Sequence, residues 1–206
     1  MSMRTRGALA AMTVGLCVAA TAAAVAAPAA AAPSGGGDPR FLSAGELPPH
    51  PSSPWHAGRV TAGQPDALPV CAGEALPSTS VHRTFWTDLD TNAVQVTVVE
   101  RSTQRAKDFA GLLRKKLDDC AARLEREHPD VKAKQKYYGK LDVEEGVHVY
   151  GLHTAWNSGA SDANLFAVGR DGRTVTLVRW GQLGDLSHAP VSGFKTTAKK
   201  AVNKLY

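Results

Sequence analysis

The chain has 206 residues, which is room for one domain of ordinary size once any leader is set aside. Lysine and arginine number 24 against 19 acidic residues, and the net charge of +5 is too mild to point to nucleic acid. No cofactor fingerprint and no constellation of residues identifies a reaction.

The first residues read as a targeting segment. Arg4 and Arg6 precede Gly7 to Val25, an uncharged apolar run, and an Ala-rich stretch with A-x-A sites follows. This pattern predicts a Sec-type signal peptide over residues 1–31, cleaved after Ala31. A retained membrane anchor is the alternative, but no basic stop-transfer flank follows the run. Cys17 is preceded by Leu16 rather than a small residue, so it does not fit a lipoprotein signal. Loss of Arg4 and Arg6 takes the charge from +5 to +3 (5 − 2). Two cysteines then remain, Cys71 and Cys120, in an oxidising compartment. An even number there predicts one disulfide, with a pair of buried free thiols as the alternative.

Residues 32–40 are rich in Pro and Gly and read as a disordered lead-in to a single domain over 41–206. Ser43 stands three residues before Glu46, a capping box for a short helical turn stopped by Pro48 and Pro49. His50 to Pro69 is proline-rich and reads as an irregular wrap with Trp55 as an anchor. Val81–Trp86 and Ala93–Val99 alternate as strands around a turn at Asp88, Asp90 and Asn92. That turn resembles the start of a calcium loop, but Val94 stands where glycine is needed and no glutamate closes the loop.

The strongest element is a helix from Thr103 to about Glu127. Ala106, Phe109, Ala110, Leu113, Leu117, Cys120, Ala121 and Leu124 form one apolar stripe at the helical period, with a charged face opposite. Ser102 or Thr103 caps its start, and Pro129 with Asp130 marks its stop. Ala133–Leu141 reads as a strand, and Lys132, Lys134, Lys136 and Lys140 suit it to a sheet edge. Val147–Trp156 is a further strand with small residues on one side and Tyr150, Leu152 and Trp156 on the other. Leu165–Val168 and Thr174–Trp180 form a hairpin turned at Asp171-Gly172. Pro190–Tyr206 is a second helix with Phe194, Ala198, Ala201, Val202 and Leu205 as its stripe. The expected fold is α+β: an antiparallel sheet of about six strands, two helices packed on one face, and one disulfide, Cys71–Cys120.

With both helices on one side, the other face of the sheet is the expected ligand face. Tyr150 and Trp156 point to it, Trp180 joins them from the hairpin, and Arg179 or Arg83 supplies charge. The competing expectation is that Phe41 to Trp55 folds over this face and fills it. The histidines are scattered, and His148 and His153 alternate sides of a strand, so no metal site is expected. Neither G-x-S-x-G nor H-E-x-x-H occurs, and no catalytic residue is assigned.

The order and spacing of Phe41-Leu42-Ser43-Ala44-Gly45-Glu46-Leu47-Pro48, Val70-Cys71, Val96-Thr97-Val98-Val99-Glu100 leading into the helix ending near Cys120, and Leu165 to Trp180 before a terminal helix carry a resemblance. Over about Phe41 to Tyr206 the chain resembles the PknH-like extracellular (sensor) domain family, in the form of a stand-alone exported actinobacterial member. The resemblance implies a helix-backed antiparallel sheet with a cleft, and the sensing of an external ligand. The chain departs in having cysteines for one disulfide where the kinase-linked domain has two. The function expected is thus an exported, monomeric, non-catalytic binding domain at or outside the cell envelope. Its partner would be a small molecule or an anionic envelope polymer, with no cofactor, no nucleic acid and no membrane anchor after processing. A secreted hydrolase acting on envelope or extracellular material is the alternative.

Overall fold

The computed structural model describes residues 38–206. The expected signal peptide, Cys17 within it, and the lead-in as far as Gly37 lie outside the described residues. Among the described residues the fold is α+β, with eight strands in one antiparallel sheet and three α-helices. In chain order these are β1 (His56–Ala57), β2 (Thr61–Ala62), β3 (Val81–Trp86), β4 (Asn92–Val99), α1 (Thr103–Asp118), α2 (Cys120–Glu127), β5 (Val131–Leu141), β6 (Val147–Trp156), β7 (Ser161–Asp171), β8 (Thr174–Leu183) and α3 (Val191–Asn203). Across the sheet the order is β1-β3-β4-β8-β7-β6-β5, with β2 also paired to the outer side of β3. Strand β5 is an edge, and its Lys132, Lys134, Lys136 and Lys140 are exposed, as the sequence predicts.

The helices do not share a face, which corrects the expected two-layer packing. Val94, Val96, Tyr150, Leu152, Phe166 and Leu177 pack with Leu113 and Leu117 of α1 on one side of the sheet. Val147, Val149, Leu165, Ala167, Val178 and Trp180 pack with Phe194, Ala198 and Val202 of α3 on the other. The small side chains Val147 and Val149 of β6 do lie under a helix, but that helix is α3, and the large Tyr150 and Leu152 pack on the α1 side. Runs such as Leu165-Phe166-Ala167-Val168 are apolar without alternation because both of their faces are buried. The added strand count comes from β1 and β2, two-residue pairings inside the proline-rich wrap.

The third helix arises from a break in the expected long one. Asp119 leaves helical geometry at φ −95°, ψ 2°, yet Asp119 N still donates to Lys115 O at 3.1 Å and Arg123 N to Asp119 O at 3.0 Å. The side chain of Gln135 on β5 enters the ladder at this point. Its Nε2 donates to Asp118 O at 3.1 Å, and its Oε1 accepts from Ala121 N at 3.3 Å. An inserted side chain of this kind is a recognised cause of a helix kink.

The N-terminal wrap is held by polar groups from the sheet and α3. Leu42 is fully buried, its N–H donating to Gln95 Oε1 at 2.8 Å and its carbonyl accepting from Arg83 Nη1 at 2.9 Å. Glu46 accepts from Ser43 N at 2.7 Å, the return half of the capping box, and from Lys204 Nζ of the C-terminus at 2.6 Å. The chain then rounds the β3 edge and crosses to the α1 side. Here Cys71 is joined to Cys120 at the start of α2, with Cα atoms 5.6 Å apart. Cys71 sits at φ +65° in a three-residue turn closed by Ala72 N to Val70 O at 2.8 Å. This turn is intrinsically strained, and Arg123 of α2 supports it by donating to Cys71 O at 2.9 Å.

Candidate functional site

Residues of the expected ligand face are divided by the fold. Tyr150 is 3% exposed beneath α1, with Tyr137 against it at 5.1 Å between ring centroids. Burial, with Asp118 beside it, pushes the Tyr150 phenol well above its ordinary value. Trp180 is 2% exposed on the opposite face, in the cluster with Leu42, Leu47 and Phe194, and lines a cavity of about 320 Å³ with Pro48, Pro51 and Trp55 of the wrap. Trp180 therefore shares its cluster both with α3 and with the N-terminal wrap, and its face is not the helix-free face that the sequence reading expects. Trp55 is fixed there by a hydrogen bond from Nε1 to Pro48 O at 2.7 Å. Trp156 and Arg179 are brought together: both line one cavity of about 290 Å³ on the α1/α2 side.

This cavity exists because the helices cover only part of their face. On β4, β7 and β8 the residues facing α1 are apolar at one end (Val96, Phe166, Leu177) and polar at the other (Asn92, Asn164, Arg179). Asn92, Gly181 and Asn164 are direct partners across the three strands, and Trp86 extends this row on β3. Leu124 of α2, Val131 of β5 and residues 67–70 of the wrap wall the cavity. A second cavity of about 710 Å³ lies towards β3, bounded by Gln64 to Ala67, His82 and Trp86. Ala67, Val94 and Arg179 line both cavities, so the two meet at Arg179.

Arg179 is laid flat on the sheet rather than standing from it. Its Nε donates to Asn164 Oδ1 at 2.7 Å on one flank, and its Nη1 donates to Asn92 Oδ1 on the other. Gly181 makes room for this: a Cβ there would stand 2.6 Å from Arg179 Cζ. Both acceptors are neutral amides, and Arg179 belongs to none of the ion pairs among the described residues. Burial lowers the guanidinium below its ordinary value, against the pull of Asp162, which lines the same cavity. A guanidinium keeps its charge under any such shift, so the groove has a cation in its floor.

Asn164, Asp162 and Gly181 are not among the residues that the sequence reading singles out, and Asn92 enters it only as a turn residue, whereas it opens β4. A signal for them was present. Asparagine is depleted from strand interiors, and three neighbouring strands each turn from apolar to polar on one face. Recognising this requires knowing that β4 pairs with β8 and β8 with β7, which the sequence order alone does not give.

Ser187, His188 and Asp185 meet on an exposed loop, with Ser187 Oγ 3.0 Å and Asp185 Oδ1 3.5 Å from the same ring nitrogen, Nδ1 of His188. A nucleophilic triad needs the imidazole between hydroxyl and carboxylate, using both nitrogens, so this trio lacks the geometry. Among the described residues no group of three His, Cys, Asp or Glu side chains is placed to hold a metal. No protein-family model matches this chain, and no curated protein matches it.

Proposed function

We propose that this protein is an exported, monomeric binding module, non-catalytic and sensor-like, acting at or outside the cell envelope. Its ligand occupies the groove between the 61–70 segment and the polar end of β4, β8 and β7. One observation carries this reading: two cavities meet over a sheet face that the helices leave uncovered, with Trp156 at one end and Arg179 at the centre. A concave site with apolar walls and a few fixed polar groups is the usual form of a small-molecule pocket. The leader expected over residues 1–31 and the resemblance to the PknH-like extracellular domain family support the same reading.

The experiment is a thermal-shift screen of cell-envelope extracts against the mature protein and its Trp156→Ala variant. Extract should raise the melting temperature of the wild type and raise that of the variant less. Equal shifts in both would remove the groove from the site. Covalent probes for serine and cysteine hydrolases separate this reading from a secreted hydrolase, and robust labelling of one serine would sink it.

A further inference from the structure

We infer that the groove binds an oxyanion, a carboxylate or phosphate carried on an apolar body, with the oxyanion on the Arg179 guanidinium and the apolar body against Trp156 and Leu124. This rests on the groove being the ligand site and names the chemistry it selects.

A guanidinium has five N–H donors in a planar fork. Two of those of Arg179 are engaged, by Asn164 and Asn92, and both acceptors are uncharged. The amide oxygens fix the plane and direction of the fork without neutralising it. A charge partly taken out of water with no carboxylate in hydrogen-bond contact is costly, and removing one partner of a buried ion pair shows the direction of that cost. Arg83, which holds the wrap, is engaged by the backbone carbonyls of Gly58 and Leu42. The Arg179 fork is instead spread between two amides above a glycine, with donors left for a guest. Arginine in this arrangement suits the two oxygens of a carboxylate or phosphate, which accept paired, charge-assisted hydrogen bonds.

The rest of the lining sets what the oxyanion is attached to. Leu124, Val131 and Val70 make an apolar wall, and Trp156 is half-buried beside them. An inorganic ion would leave that wall unused. Asp162 lines the same cavity, and its charge limits how much negative charge a ligand can bring.

The probes are phenylacetate and phenyl phosphate, with the neutral analogues phenylacetamide and benzyl alcohol, titrated into the mature protein by calorimetry and by tryptophan fluorescence. The anions should bind saturably and the neutral partners at least about tenfold more weakly, the loss of one hydrogen bond to a charged group. Preference for carboxylate over phosphate, or the reverse, identifies the source. Arg179→Met should abolish the preference while melting no lower than the wild type, because it replaces a half-buried charge outside any ion pair by an apolar chain of similar reach. Equal binding of anionic and neutral probes, or no saturable binding of either to the wild type, would overturn the inference even if Arg179→Met failed to fold. So would an undiminished preference in a folded Arg179→Met. Equal binding that is lost in Trp156→Ala overturns the oxyanion and leaves the groove standing. The extract screen tests the groove itself.

Discussion

Gly181 lies beneath the guanidinium of Arg179, two residues away on the same strand, and the absence of a Cβ is what allows the charge to lie flat between Asn164 and Asn92. The pair should therefore be coupled energetically. Gly181→Ala forces either the side chain or the strand to move, at about 1–3 kcal/mol, the range for overpacking. In an Arg179→Met background the flexible thioether can move aside, and the same change should cost much less. A double-mutant cycle from urea unfolding measures the coupling. Additive effects would mean that the guanidinium does not need the glycine.

The disulfide ties the wrap to the helix that walls the groove. Closing a loop with a sequence separation of 49 restricts the unfolded chain by about 4 kcal/mol on the chain-entropy account. Cys71→Ala together with Cys120→Ala should lower stability by an amount of this order in urea unfolding. Non-reducing mass spectrometry of native material should find no free thiol. Reduction should also speed amide exchange over residues 67–76, since the strained turn at Cys71 would lose its covalent tie to α2.

Gln135 is the cause assigned to the helix break, and this too is open to measurement. Gln135→Ala removes the partners of Asp118 O and Ala121 N at a partly exposed site. The cost should be about 1 kcal/mol, with faster hydrogen exchange at the Ala121 amide. If stability and exchange are unchanged, the helix regularises without the insertion, and the break has another origin.

These devices show which parts of the fold are legible in a sequence. The apolar stripe from Ala106 to Leu124, the strands Val81–Trp86 and Val147–Trp156 and the pairing of Cys71 with Cys120 all follow from local pattern, and all are present. The break at Asp119 does not follow, because it depends on a side chain from β5. The placing of α3 opposite α1 does not follow from any single strand; its signal is the apolar character of both faces of β7 and β8, which reflects burial on both sides. The site was legible in part. Trp156 and Arg179 do share a cavity, whereas alternation along single strands, which puts Tyr150 and Trp180 on one face, cannot say what covers each face.

Two titrating groups should give the stability two separate acid limbs. His148 Nε2 accepts from Arg114 Nη1 at 3.0 Å, since arginine only donates, so its proton lies on Nδ1, 2.8 Å from the Tyr137 hydroxyl. Burial, then the charges of Arg114 and Lys140, lower His148 from its ordinary 6.5, with Asp118 opposing. A depressed histidine favours folding fully above 6.5 and loses that contribution as pH falls below it, because the unfolded chain takes the proton first. Glu46 acts lower. Partial burial works to raise it, but hydrogen bonds from Lys204 and Ser43 outweigh this and hold it at about 2 against 4.5. Its contribution is complete above 4.5 and is lost as pH falls towards 2. Melting temperatures across this range should therefore fall in two stages. His148→Asn should flatten the upper stage alone and Glu46→Gln the lower alone. A single shared transition in both variants would show that neither group titrates independently of global unfolding.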